Sequence, residues 1–282
     1  MIFLYAALLN NQLVLAVTEA QSQSKMLAKN NYICPQCKQR VKLIIKEKSA
    51  YFKHFPSNNN LSGEKEEHAL SKAILKNALL EAKFNAQTET SLANGQLRAD
   101  ILVNSKLAFE IQCAPLSKLE FTKRHNLYKN IGVADIWIVG KRHYLLQEIK
   151  KSQLIFFRKN KLWHDYYLEI LPEQKILRLK YNVQLEPITS KVHYQIENFV
   201  ISSYGLAKLW HFKPILKQYC VDPRTQKNYL QLQLTQKTIK GMKIANQLYQ
   251  RNLTIDELPP TIFSNFRRVN SCNNVITFLH QM

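Results

Sequence analysis

Glycine is scarce, with 6 residues in 282. None builds a GxGxxG or a GxxxxGK followed by Ser or Thr. That argues against a fold organised around a dinucleotide or triphosphate loop. Long apolar runs are missing too, and no stretch approaches a membrane span of about 20 residues. The opening "MIFLYAALLNNQLVLAV" has no basic residue before Lys25 and is broken by Asn10-Asn11-Gln12. It reads as a β-hairpin, not as a secretion signal. The cysteines are five: Cys34, Cys37, Cys113, Cys220 and Cys272. An odd, sparse set is poor material for a disulfide framework and points to a reducing compartment.

Negative charge is also short. The chain has 40 Lys and Arg against 20 Asp and Glu, a net charge of +20. Such a surplus favours a polyanion as partner, nucleic acid or an anionic membrane, over a basic surface kept for solubility alone. It is unevenly spread: net +6 over residues 1–60, +1 over 61–140 and +13 over 141–282. The acids therefore concentrate in a middle segment flanked by regions suited to holding phosphates.

Three blocks follow. Residues 1–58 give short strands and a CxxC turn, a small β-rich N-terminal domain. Residues 62–150 alternate helix and strand. Residues 151–282 form a basic C-terminal region. It begins as a strand meander ("QLIFFRKN", "KLWHDYYLEIL", "QKILRLKYNVQL"). It continues as helices ("IENFVISSYGLAKLWHF", "KTIKGMKIANQLYQRNL"). The fold class is α/β (α+β). In the middle block, Ser62 is expected to cap a helix from about Glu64 to Lys83, with Leu70, Ile74 and Ala78 on its apolar stripe. Strands are expected at 84–90, 97–103 and 107–112. A second helix is expected after Ser117, and a buried strand at "ADIWIVG". The order is αβββαβ.

The hairpin "RADILVNSKLAFEIQ" carries Asp100 and Glu110 inside strands that otherwise want apolar residues. With Asn104-Ser105-Lys106 as a three-residue loop, Val103 pairs with Leu107, Ile101 with Phe109 and Asp100 with Glu110. Asp100, Glu110 and Gln112 then share one face. Opposed carboxylates repel unless a cation, an arginine or a shared proton offsets them. Mg²⁺ takes one or two protein carboxylates and completes its octahedron with water and phosphate oxygens. The plainer alternative pairs Asp100 with Arg98 or a lysine and leaves Glu110 solvated at a strand end.

Cys34 and Cys37 form one zinc half-site. His54 is the best third ligand, and His68 or Cys113 could be tried as the fourth. A metal-free turn packed with two thiols fits the same residues. In the C-terminal region, basic and aromatic residues interleave ("IFFRKNKLWH", "RLKY", "NFRRV"). That pattern suits phosphates held by Lys and Arg with bases stacked on rings. It equally suits ordinary amphipathic structure.

The element order resembles the restriction-endonuclease-like core of the PD-(D/E)XK nucleases. More specifically, the chain resembles the competence protein CoiA family. The matching residues are "CPQC" at 34–37, "YFKHF" at 51–55, "GEKEEHALSK" at 63–72, "RADI" at 98–101, "FEIQ" at 109–112, "FTKRHNLY" at 121–128 and "IWIVG" at 136–140. The resemblance covers the first 140 residues. It implies a cytoplasmic, competence-associated DNA-processing protein, a Mg²⁺- or Mn²⁺-dependent nuclease-like protein. The DNA would be single-stranded or branched and met during transformation, with a recombinase as a further partner. The alternative it leaves is a non-catalytic recombination mediator on a nuclease fold. The catalytic set it implies is Glu67, Asp100, Glu110 and Gln112, with Asp100 and Glu110 on the metal. Gln112 stands where the superfamily usually has lysine. It can orient a water but cannot supply a positive charge. Arg124, Tyr128, Lys72 and Arg98 are the DNA-contacting candidates, Arg124 and Tyr128 being equally able to support Glu110. His68 beside Glu67 is a candidate for proton transfer.

Overall fold

The computed structural model describes residues 5–22, 31–35, 38, 40–46, 49–54 and 58–281, with the backbone alone of 22, 54 and 58–63. Two compact units divide at residue 65.

The first unit holds β1 (Ala6–Leu9), β2 (Gln12–Leu15), α1 (Ala16–Ser22), β3 (Tyr32–Ile33), β4 (Arg40–Lys46) and β5 (Ser49–His54). Its antiparallel sheet has the order β2-β1-β3-β4-β5. The expected N-terminal hairpin is there. Asn10 and Asn11 both take positive φ, 51° and 64°, the backbone of the tight two-residue turn that matches strand twist. Ala7, Tyr32, Cys34, Val41 and Phe52 form the core of this unit.

Helix α2 (Asn58–Glu81) leads into the second unit. It begins before the expected cap at Ser62 and runs through the glycine at position 63, which costs a helix about 1 kcal/mol. Its buried face is Ser71, Leu75, Ala78 and Leu79, with Ile74 at the margin. Leu70, expected on that stripe, is 44 % exposed. Next come β6 (Ala86–Leu92), β7 (Leu97–Val103), β8 (Leu107–Gln112), α3 (Lys118–Asn130) and β9 (Ala134–Val139). This is the expected αβββαβ series. The C-terminal half adds β10 (Arg158–Asn160), β11 (His164–Leu171), β12 (Ile176–Leu185), β13 (Val192–Val200), α4 (Ser203–Trp210), α5 (Pro223–Thr235), α6 (Ile239–Gln250), α7 (Thr261–Ser264) and α8 (Asn274–Gln281).

One mixed sheet spans the unit in the order β13-β12-β11-β9-β8-β7-β6, with β10 paired to β11. β9 runs parallel to both β8 and β11. The expected division after residue 150 therefore falls inside this sheet. Two of the expected elements differ. The stretch at 153–160 is a 3-10 turn (Lys151–Phe156) followed by the three-residue β10. The stretch at 196–212, read as one helix, is the end of β13 and then α4. Ser202 marks the break: still extended in backbone, it caps α4, its hydroxyl accepting from Gly205 N–H.

On one sheet face, Leu75, Ala78 and Leu79 of α2 pack against Ile101, Val103, Phe109 and Ile111. On the other, Tyr128 of α3 packs with Leu97, Ala99, Leu102 and Ala108. Each such fully buried aliphatic side chain contributes roughly 1.5–3 kcal/mol. Helices α5 to α8 close around their own core of Leu230, Ile244, Leu248, Ile262, Val275 and Leu279.

Candidate nuclease-like site

The register predicted for the hairpin is the one observed: Ile101 pairs with Phe109, Leu102 with Ala108 and Val103 with Leu107. Asn104 and Ser105 both take positive φ in the loop. One step further sets Asp100 opposite Glu110. There the ladder stops, and the Asp100 carboxylate takes its place. Its Oδ2 accepts the Ile111 N–H at 2.9 Å.

The acids do not turn to one face, as simple alternation predicts. Asp100 meets α2: His68 Nε2 lies 3.2 Å from Oδ2 and Lys72 Nζ 3.9 Å from Oδ1. Glu110 meets α3: its two oxygens accept from the Tyr128 hydroxyl and the Arg124 guanidinium. The cause is a local break in the sheet. Glu89, at the level of Asp100 on β6, has φ +56° inside a strand. That is unusual for any residue but glycine. Alternation shifts across this point. Leu97 and Ala99 face α3, whereas Ile101 and Val103, of the same parity, face α2.

The surroundings drive the two acids apart in acidity. Burial raises Asp100, but the hydrogen bond and charge of His68, the Ile111 N–H and Lys72 together hold it below the usual carboxylate range. Glu110 is 1 % exposed. Burial pushes it up to about 7 against the pull of Arg124, and the Asp100 charge adds to the rise. Pairs of carboxyls pushed apart in this way are suited to distinct chemical roles.

Glu67 reaches the same end of the sheet from α2, and its Oε1 accepts the Lys141 N–H at 2.7 Å. Gly140, ending "IWIVG", makes that approach feasible. A Cβ there would stand 2.8 Å from Glu67 Oε1 and 2.7 Å from Cys113 Sγ. Gln112 follows Glu110 on β8 and donates its amide to Ala114 O at 2.6 Å, presenting its carbonyl oxygen as an acceptor. Of the expected DNA contacts, Tyr128 is fully buried and its hydroxyl is taken by Glu110. Arg124 is bound to Glu110, Lys72 to Glu89, and Arg98 to Glu89 at 2.7 Å. Sequence reasoning missed Gly140, the Lys141 N–H and Glu89. The glycine directly after a buried strand was the available signal for the first two; Glu89, in a polar strand, gave none.

Among the described residues no three His, Cys, Asp or Glu side chains converge into a ready metal cage. The oxygen set nonetheless suits a hard cation that keeps most of its water. A carboxylate has about four lone-pair sites. Glu110 commits two of them, to Tyr128 and Arg124. Asp100 commits its two on Oδ2, to Ile111 and His68, and among the described residues Oδ1 faces the more distant Lys72. For the zinc expectation, Cys37 and the His54 side chain lie outside the described residues, and Cys34 is buried in the core of the first unit. No helix among the described residues is long and apolar enough to cross a membrane.

No curated protein and no solved structure matches the chain. The family model described as "Competence protein CoiA, nuclease-like domain" matches residues 64–214. That span holds the whole mixed sheet from β6 to β13 and every residue of the site above, and it exceeds half of the 282 residues. The chain belongs to the competence protein CoiA nuclease-like domain family.

Proposed function

We propose that this competence-related, nuclease-like protein hydrolyses phosphodiester bonds in single-stranded or branched DNA during transformation. The observation that carries the reading is the pair Asp100 and Glu110. They are opposed at a broken strand ladder, one held acidic and the other pushed up, with Glu67 and Gln112 at the same end. Asp100 and Glu110 would hold Mg²⁺ or Mn²⁺, with Glu67 assisting through water. The bound cation would polarise the phosphate and acidify a water. Gln112 orients that water through its carbonyl oxygen. Lys72 and Arg124, each bound to a carboxylate, hold the acids in place without adding a free positive charge. His68, on Asp100, is placed to hold or pass a proton.

A second reading has its own support. Both oxygens of Glu110 are already answered by Tyr128 and Arg124, an arrangement that satisfies a buried carboxylate without metal. On that reading the fold binds DNA and presents it to a recombinase without cutting it.

Cleavage of end-labelled single-stranded and branched DNA separates the two, run with Mg²⁺, Mn²⁺ or EDTA on wild type, Asp100→Asn and Glu110→Gln. Metal-dependent cutting lost in both variants is expected for hydrolysis. Salt-sensitive binding with no cutting under either metal would overturn hydrolysis and leave the mediator.

A further inference from the structure

Phosphate binding needs cations that are not already spent on acids. At the nuclease-like site Lys72, Arg98 and Arg124 are each bound to a carboxylate. Elsewhere in the same unit a cleft of about 700 Å³ opens between the β10–β11 hairpin, the end of β12 and the segment after α7. Lys159, Lys161, His164, Phe266, Arg267 and Arg268 line it. Among the described residues, none of its four Lys and Arg side chains forms an ion pair. Arg267 is instead held by three backbone carbonyls, those of Glu186 at 3.0 Å, Ser271 at 3.0 Å and Thr189 at 2.7 Å. Its charge is fixed in position and not neutralised. The one acid in the lining, Asp165, is pushed up by burial against the pull of Lys159 and Arg268.

Phe266 gives the cleft an aromatic wall, backed by His193 at 5.1 Å and Tyr219 at 5.7 Å between ring centroids. Four cations outside any ion pair, beside a supported ring, are the elements that hold a single strand, phosphates on the cations and a base on the ring. A cleft of this volume is of the size that takes a nucleotide-sized group, not the width of a duplex.

The cleft is also joined to the acids through the sheet. Glu169 on β11 pairs with Val139 on β9. At Asp165 the strand paired with β11 is β10, where Lys159 stands opposite Asp165. Arg158 of β10 lies by Asp135 of β9, which pairs with Ala108 of β8, two residues before Glu110. Arg158, at the start of the hairpin, bridges the interval. Its guanidinium sits 5.0 Å over the Phe121 ring of α3 and 3.5 Å from Asp135.

We propose that this cleft is a single-strand-binding site of the protein, holding the backbone of the strand whose neighbouring phosphate reaches Asp100 and Glu110. The assignment rests on the DNA reading above.

The test is anisotropy of labelled oligothymidine, and of a labelled duplex of the same length, with the full chain in EDTA, across a salt series. Lys161→Gln with Arg268→Gln removes two exposed cleft charges. Lys240→Gln with Lys243→Gln removes two exposed charges from α6. The cleft pair is expected to weaken binding about tenfold and to reduce the salt slope by about 1.4. The α6 pair is expected to change affinity less than twofold. Equal effects from both pairs, or an unchanged cleft pair, would overturn the cleft while leaving the DNA reading standing. Loss confined to duplex binding would overturn the single-strand assignment. A wild-type protein that binds no DNA would overturn the DNA reading and the cleft together.

Discussion

Replacing Lys180 by methionine tests how the sheet carries charge in its interior. Glu169 is fully buried, and its Oε1 accepts from Lys180 Nζ at 2.7 Å and from Leu145 N–H at 2.7 Å. Lys180 also donates to Leu145 O. Methionine keeps the volume but leaves Glu169 without its nearest cation. Breaking a buried pair from one side costs roughly 3–5 kcal/mol. Arg178, 3.6 Å from the other Glu169 oxygen, offsets part of this, so a loss of about 3 kcal/mol in urea unfolding is expected. The double variant Glu169→Gln, Lys180→Met removes both charges and keeps an acceptor for Leu145. It should recover to within about 1 kcal/mol of wild type, since replacing both members of such a pair is often near neutral. A single variant costing under about 1 kcal/mol, or a double variant no better than the single, would refute the reasoning. The pair also anchors the segment that begins at Lys141, whose N–H holds Glu67. Amide exchange at Lys141 should therefore quicken in Lys180→Met.

Gly140→Ala should cost about 1–3 kcal/mol by pushing Glu67 off the Lys141 N–H, read by thermal melting. The cost should shrink in a Glu67→Ala background, and an equal cost there would refute the contact. Tyr128→Phe strips one donor from Glu110. Its carboxyl should then titrate above about 7 by carbon NMR, and an unchanged titration would show the hydroxyl to be idle. Glu186 provides a pH test. Burial raises it, but hydrogen bonds from Thr189, His193 and Gln226 and the His193 charge hold it below its ordinary 4.5. A depressed folded-state value stabilises above about pH 4.5, and that contribution is lost as pH falls through the folded value. Glu186→Gln should flatten the acid limb of the stability curve, and a limb displaced in parallel would count against the assignment.

The hairpin was legible because two local signals agreed. Alternation fixed the strands at 97–103 and 107–112, and an Asn-Ser-Lys loop fixed their register. Ser117 was legible as a cap for the same local reason, its hydroxyl accepting from Glu120 N–H at 3.1 Å. What alternation could not carry was the break opposite Glu89, which sends Asp100 to α2 and Glu110 to α3. That break is set by positive φ at a residue whose type does not announce it. The strand at 192–200 was hidden because, as the last strand of its sheet, it alternates poorly between buried and exposed positions. The acids of the site could be read from the chain. So could Arg124 and Tyr128 as support for Glu110; the Lys141 N–H on Glu67 comes from an element that only the tertiary fold brings near.

The distribution of paired and unpaired charge bears on why the chain is so basic. Its most buried carboxylates, Glu110, Glu169 and Glu186, each have a cationic or histidine partner within the fold. Interior acids therefore draw on a small share of the 40 Lys and Arg residues. A surplus kept for solubility would leave the remaining cations dispersed, each facing bulk water. In the cleft four of them instead line a concavity, beside a supported ring and with Asp165 the one acid in the lining. Holding four like charges together costs free energy through mutual repulsion, and a bound polyanion would turn that cost into affinity. The repulsion predicts that the cleft charges stabilise the complex and destabilise the free protein. Lys161→Gln with Arg268→Gln should raise the melting temperature of the free chain slightly while weakening its hold on a single strand. A variant that melts lower and binds equally well would show those charges to be structural.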